Sequence, residues 1–244
     1  MLRDHTGKAA PSSHFAHLRL SSRDETGEVP CLLMFSGGRD STLATLRLQA
    51  RNTPLGLVTV TSGHLVGISR VKHRLSELAR FLPPETEWLQ VLQPADLRTD
   101  VSFYDQTCLP CHHAYVAVSG ALARLTGVKR LGFGYTRYQS DWPEQTPLAI
   151  SCLRRVLAKH DINLELPAHD IESRDAAIQE LRSYGVSTDA LEQKCIRQVT
   201  NVALDAHRLE RQVALWEAAI DASMGCLDTI KMTVLTNIRI GDLR

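Results

Sequence analysis

From Val29 onward the chain repeats one unit: a short apolar or β-branched run, a turn rich in Gly or Pro, then a stretch of helical periodicity. The first run is 31–35, followed by Ser36-Gly37-Gly38 and an expected helix over 41–51. The second, Leu55–Thr61 (LGLVTVT), leads to an amphipathic helix over 68–81 that Pro83-Pro84 ends. Further strands are expected at Glu87–Leu92, 129–133 and 163–166, with helices over 112–126, 148–160, 174–184 and 205–224. Strands that alternate with helices run parallel, because each helix returns the chain to the end of the sheet it left. The expected fold is therefore α/β, a five-stranded parallel sheet flanked by helices, with ligands at the carboxyl ends of the strands. Residues 1–28 read as a polar leader in which 14–20 alternates well enough for an edge strand. The nucleotide-type domain is expected over 29–170, and a helical C-terminal extension over 171–244.

Composition narrows the class. Hydrophobic residues make up 43% and charged residues 23%, ordinary for a folded domain with its own core. The formal net charge of +1 excludes a global positive field for a long polyanion, although a local basic face is compatible with it. The sequence has no run of eighteen apolar residues, and its N-terminus lacks the apolar core of a secretory signal, so a cytoplasmic protein without a membrane partner is expected. In that reducing compartment the six cysteines are free thiols, metal ligands or redox groups sooner than disulfides.

Ser36-Gly37-Gly38-Arg39-Asp40-Ser41 stands where the first strand hands over to the first helix. Paired glycines let several amides turn onto an anion, the helix dipole adds its positive end, and the two serines can donate to phosphate oxygens. Asp40 would repel phosphate unless a cation, expected to be magnesium, lies between them. A Gly-Gly pair alone is more often just a turn, but the whole hexad at a strand-to-helix junction is not generic. It is neither a Walker loop nor the GxGxxG fingerprint.

The hexad resembles the SGGxDS signature of the PP-loop ATP pyrophosphatases, a superfamily of the adenine nucleotide alpha hydrolase-like (HUP) type. The resemblance implies ATP laid across the strand ends, cleavage between the α and β phosphates, and transfer of AMP to a substrate oxygen. It implies ATP contacts from Ser36, Gly37, Gly38, Arg39, Asp40 and Ser41. Thr61 and Ser62 are expected beside the base, and Gly134 and Arg137 at the mouth of the site.

Cys108-Leu109-Pro110-Cys111 opens the helix expected over 112–126, where the dipole favours thiolates that bind soft metals or attack sulfur. PP-loop enzymes that thiolate tRNA bases are similar in carrying CxxC before this helix, and in several a distant third cysteine completes a 4Fe–4S site with one open iron. By that resemblance Cys108, Cys111 and Cys195 are the candidate cluster ligands, with zinc or a persulfide as alternatives. Cys31 and Cys152 read as core residues, and Cys226 has no assignment. The loop after the fourth strand departs from the thiolating pattern, having Gly134-Tyr135 for the usual Gly-His. Its Trp142-Pro143-Glu144 is more similar to 7-cyano-7-deazaguanine synthases.

The expected function is an ATP-dependent sulfur transferase. It adenylates a carbonyl oxygen of a nucleobase, free purine or tRNA base, and replaces it with sulfur from sulfide or a persulfide-carrying protein. Asp40, Cys108 and Cys111 are the expected catalytic groups. The alternative is ammonia-dependent amide or nitrile formation on a deazapurine-like acid. A nucleotide-binding regulator without turnover is the reading from another class, and a homodimer is left open.

Overall fold

The computed structural model describes residues 30–94, 97, 107–197 and 202–244. The leader, with its expected strand over 14–20, lies outside the described residues, as does most of the connection over 93–110.

The five expected strands are present: β1 (Cys31–Met34), β2 (Leu55–Thr61), β4 (Glu87–Leu92), β5 (Arg130–Gly132) and β6 (Asn163–Glu165). They pair in the order β6-β5-β1-β2-β4, all parallel. The expectation of five strands needs one correction. A sixth, β8 (Thr233–Arg239), runs antiparallel along β4 with Trp88 opposite Ile238 and Leu92 opposite Thr233. Its exposure alternates along its length, as suits a strand that caps a sheet edge. The C-terminal segment thus supplies sheet as well as helix. A second ribbon, β3 (Leu65–Val66) with β7 (Lys194–Cys195), is antiparallel and was not legible in the pattern.

Helices cover both faces, which is why β1 and β2 are buried along their whole length. Successive side chains of β1 go to opposite cores. Leu32 and Met34 pack with α3 (Leu109–Thr126), α4 (Pro147–Lys159) and α6 (Ala206–Gly225). Cys31, Leu33 and Phe35 pack with α1 (Arg39–Ala50), α2 (Ile68–Leu78) and α5 (Arg174–Ser183). Burial pushes the Cys31 and Cys152 thiols up to about 12, so both act as small core residues. Across the second face, Arg47 of α1 forks onto Glu180 of α5 at 2.7 and 2.6 Å and also meets Asp170.

Three helices start with a side-chain cap, and three, α1, α2 and α3, start without one. α4, α5 and α6 are capped by Thr146, Ser173 and Asp205, whose side chains accept from the amides of Ala149, Ala176 and Arg208. α1 has Gly38 as its cap residue and no side-chain cap. No helix among the described residues is long and apolar enough to cross a membrane.

Candidate active site

The end of β1, the start of α1 and the carboxyl ends of β2 and β5 border a cavity of about 460 Å³. At its floor the chain turns sharply through Gly37, φ +80°, where a Cβ would lie 3.0 Å from the Leu191 carbonyl oxygen and from Val71 Cα. Only glycine fits there. Ser36 Oγ accepts from the Gly38 amide at 3.2 Å and lies 3.1 Å from Ser41 Oγ, so the two hydroxyls stand side by side at the uncapped helix start. Gly134 allows the loop after β5 to press onto this turn, since a Cβ there would be 2.6 Å from the Ser41 nitrogen. The result is a compact, glycine-built cradle with serine hydroxyls and the first turn of α1 beside the cavity, the arrangement that binds anions.

Asp40 is held by Tyr138, whose hydroxyl donates to the carboxylate at 2.6 Å. Burial raises the Asp40 pKa above the usual range; the Tyr138 hydrogen bond and Arg39 oppose that rise, and nearby Glu192 adds to it. Glu192 comes from a segment the sequence left unassigned. Residues 187–196 form a strap across the cradle, held mostly through backbone carbonyls. Arg39 Nε donates to Thr188 O at 2.8 Å, and Arg74, fully buried, donates to Ser187 O and Asp189 O at 2.7 Å each and to Gly37 O at 3.4 Å. Arg70 donates to Ala190 O. Gln193 then ties the strap to β2, accepting from Thr61 Oγ1 at 2.6 Å and donating to Val60 O at 3.1 Å.

The strap ends in β7, which sets Cys195 opposite Leu65, and Ile196 donates its amide to His64 O at 3.0 Å. His64 Nε2 in turn lies 3.3 Å from Cys111 Sγ, and Ser62 Oγ lies 2.8 Å from His64 Nδ1. Cys108 is the cap residue of α3 and Cys111 stands in its first turn. Cys108, Cys111 and Cys195 all act on the cavity-lining Tyr115, raising its phenol beyond what burial does, although none of the three thiols itself lines the cavity. Among the described residues no group of three His, Cys, Asp or Glu is arranged to hold a single metal ion.

Several expected contacts sit elsewhere. Arg137 pairs with Glu172 at 2.7 Å on the surface, more than half exposed, and does not line the cavity. Thr61 and Ser62 serve Gln193 and His64, while Thr59 and Val60 form that wall. Ser36, Gly38, Arg39, Asp40, Ser41 and Gly134 line the cavity.

No protein-family model matches the sequence, and no curated protein matches it. Solved structures do. A 4-thiouridine synthetase in complex with RNA and bound ATP aligns with 87% of this chain at 16% identity, TM-score 0.54. The likeness is one of fold, a mostly parallel α/β sheet with helices on both faces. The chain spans 56% of the length of that synthetase. The U34-tRNA thiolase NcsA from Methanococcus maripaludis, with its 4Fe–4S cluster, aligns with 86% of this chain and 74% of its own length at 11% identity, TM-score 0.49.

Motif reading gave no defined role to Tyr138, His64, Glu192 and Gln193, and did not foresee a buried group that joins the CxxC helix to the loop after the fourth strand. There, Tyr135 Oη is 2.7 Å from His112 Nδ1, and His112 Nε2 is 3.7 Å from Glu144 Oε1. Burial drives His112 down to about 4 and Glu144 up to about 7. Both belong to stretches already marked, the first turn after CxxC and the loop after the fourth strand. Their pairing needed the tertiary fold.

Proposed function

We propose that the chain is an ATP-dependent sulfur transferase that adenylates a nucleobase carbonyl oxygen and replaces it with sulfur. One observation supports the reading: the cavity that the phosphate cradle borders is also lined by Leu65, opposite which β7 sets Cys195, and by Tyr115, on which Cys108, Cys111 and Cys195 all act. The cradle amides and the Ser36 and Ser41 hydroxyls hold the pyrophosphate half of ATP. Asp40, with Glu192 beside it, would hold a magnesium ion, whose charge would offset that of the phosphates; one or two carboxylates plus substrate oxygens are what magnesium commonly uses. The acceptor carbonyl oxygen attacks the α-phosphorus, and pyrophosphate leaves toward the cradle. Sulfur then adds to the activated carbon, and AMP departs with the original oxygen.

Cys108, Cys111 and Cys195 are the residues that would hold an iron–sulfur cluster, since thiolates are its usual ligands and all three act on the same ring, Tyr115. When bound, a 4Fe–4S cluster held by three cysteines has an iron open to sulfide. The chain's own part is to hold Cys195 by the β3–β7 pairing and to keep His64 against Cys111. Zinc and a cysteine persulfide are the readings this one displaces.

A tRNA base is the acceptor favoured here, in keeping with the RNA bound to the 4-thiouridine synthetase of the same fold. A cytoplasmic setting follows from that substrate. The test is to incubate anaerobic protein with ATP, magnesium, sulfide and either unmodified tRNA or free purines, and to measure AMP, pyrophosphate and product mass. Sulfur in place of oxygen in a tRNA nucleoside is the expected product. Nitrogen incorporation from ammonia would favour the 7-cyano-7-deazaguanine synthase-like reaction, and ATP binding without product would favour a regulator.

A further inference from the structure

Adenylation and sulfur transfer act on two atoms of one acceptor: its carbonyl oxygen must reach the phosphates, and the carbon that bore it must reach the thiols. A base that satisfies both lies between the two places, so an element that touches both is where its holding groups belong. The loop after β5 is such an element. On one side the Tyr138 hydroxyl donates to Asp40 at 2.6 Å, and the Gln139 side chain favours the charged form of the same carboxylate. On the other, Glu144 lies 3.7 Å from His112, the residue that follows the CxxC.

Trp142 stands between those contacts, and the backbone fixes it there. It joins two 3₁₀ turns, Arg137–Gln139 and Pro143–Gln145, and the proline after it keeps it extended, at ψ 130°. Its amide donates to Gln139 O at 2.9 Å, and its carbonyl accepts from the Gln145 amide at 2.8 Å. Side chains lock the two turns together: Gln145 Nε2 donates to Gln139 Oε1 at 2.7 Å, and Gln145 Oε1 accepts from the Thr136 amide at 3.0 Å.

The other rings of this wall are engaged. Phe133, Tyr135, His112 and Tyr115 pack in a row, with successive centroids 5.3 to 5.6 Å apart, and Tyr138 serves Asp40. Trp142 lines the same cavity yet is 39% exposed, and its indole makes no hydrogen bond or ring contact with another described residue. A flat ring already fixed in place loses little freedom on binding, and every nucleobase has a face that stacks on one.

We propose that Trp142 is the platform on which the acceptor nucleobase stacks, an RNA base turned out of its own stack into the cavity with its carbonyl edge between Asp40 and the thiols. The adenine of ATP needs no path to the thiols, so nothing draws it to this ring. The inference deepens the proposed function and rests on it.

The test uses the tryptophan emission of the full chain, because Trp88 and Trp216 are wholly buried and Trp142 alone of the three tryptophans is exposed. Unmodified tRNA is expected to quench that emission, magnesium ATP alone to leave it unchanged, and Trp142→Phe to abolish the quench. In pyrophosphate-release assays, Trp142→Ala should lower kcat/KM for tRNA about tenfold or more while the KM for ATP stays within about twofold, and Trp142→Phe should recover most of the loss. Melting temperatures of both variants should stay near the wild type, since the indole packs in neither core. Emission unmoved by tRNA, a quench by ATP alone, or an unchanged kcat/KM for tRNA in Trp142→Ala would each overturn the assignment while leaving adenylation standing. A wild-type chain that releases no pyrophosphate with tRNA would overturn the proposed tRNA acceptor and this platform together.

Discussion

Asp40 accepts a hydrogen bond from Tyr138 while facing the phosphate cradle, and burial already disfavours its charged form. On the proposed function, magnesium is the counter-ion of this carboxylate in the working state. Replacing it with alanine removes the counter-ion's ligand and strands the Tyr138 hydroxyl. Asp40→Ala is expected to lower pyrophosphate release by about a hundredfold or more while costing only about 1 kcal/mol of stability. A pyrophosphate assay run beside a thermal melt checks both halves. Glu144 makes the complementary case, a carboxyl whose burial favours the neutral form. Its pKa rises from 4.5 to about 7 in the fold, so the native state binds its proton more tightly than the unfolded chain does. The stability it contributes is full below about 4.5 and is lost as pH rises through about 7. Neutral His112, 3.7 Å away, offers no compensating charge, and Glu144 Oε2 has no hydrogen-bond partner among the described residues. Glu144→Gln should therefore flatten stability between pH 5 and 8 and exceed the wild type at the upper end by up to about 3 kcal/mol. Urea unfolding at the two pH values reads this directly.

Among the elements, the strap over 187–196 carries the greatest consequence for its length. Arg74, wholly buried in α2, joins it to the cradle by bonding Gly37 O on one side and Ser187 O and Asp189 O on the other, with Glu77 as its ion partner. Arg74→Met leaves those carbonyls and Glu77 without their donor, so a loss of about 3 kcal/mol and a weakened ATP affinity are expected together. Denaturant midpoints and nucleotide titration should show the two losses in one variant. Nothing periodic announces such a strap. Its anchors are arginine side chains bonding backbone carbonyls more than a hundred residues away, and any sequence presents carbonyls. The strands of the parallel sheet, by contrast, were legible because each is a dense β-branched or apolar run ended by a turn. Strand β8 escaped for a physical reason: as an edge it buries only alternate residues, and Val234, Thr236 and Ile238 alone make a weak signal after a long helix.

For the whole molecule, the question is how the phosphate hexad and the thiols come to stand beside one cavity, the first lining it and the others neighbouring its lining residues Leu65 and Tyr115. The phosphate hexad and the CxxC could be read separately because each is local, a turn or a helix start whose residue types state their chemistry. Their meeting could not be read, since it depends on the β3–β7 ribbon of two residues per strand and on His64 linking that ribbon to Cys111. Thr61 and Ser62 show the same limit: the segment was found, but the fold turns their hydroxyls to Gln193 and His64 instead of the cavity. On the proposed function, adenylation belongs to the cradle and sulfur delivery to the thiols, and Cys195 serves only the second. Cys195→Ala, assayed anaerobically with ATP, sulfide and unmodified tRNA, tests that division by following pyrophosphate release and thiolated nucleoside in the same reaction. The account predicts that pyrophosphate release continues at near wild-type rate while thiolated product is lost; thiolation at wild-type level in this variant would contradict it.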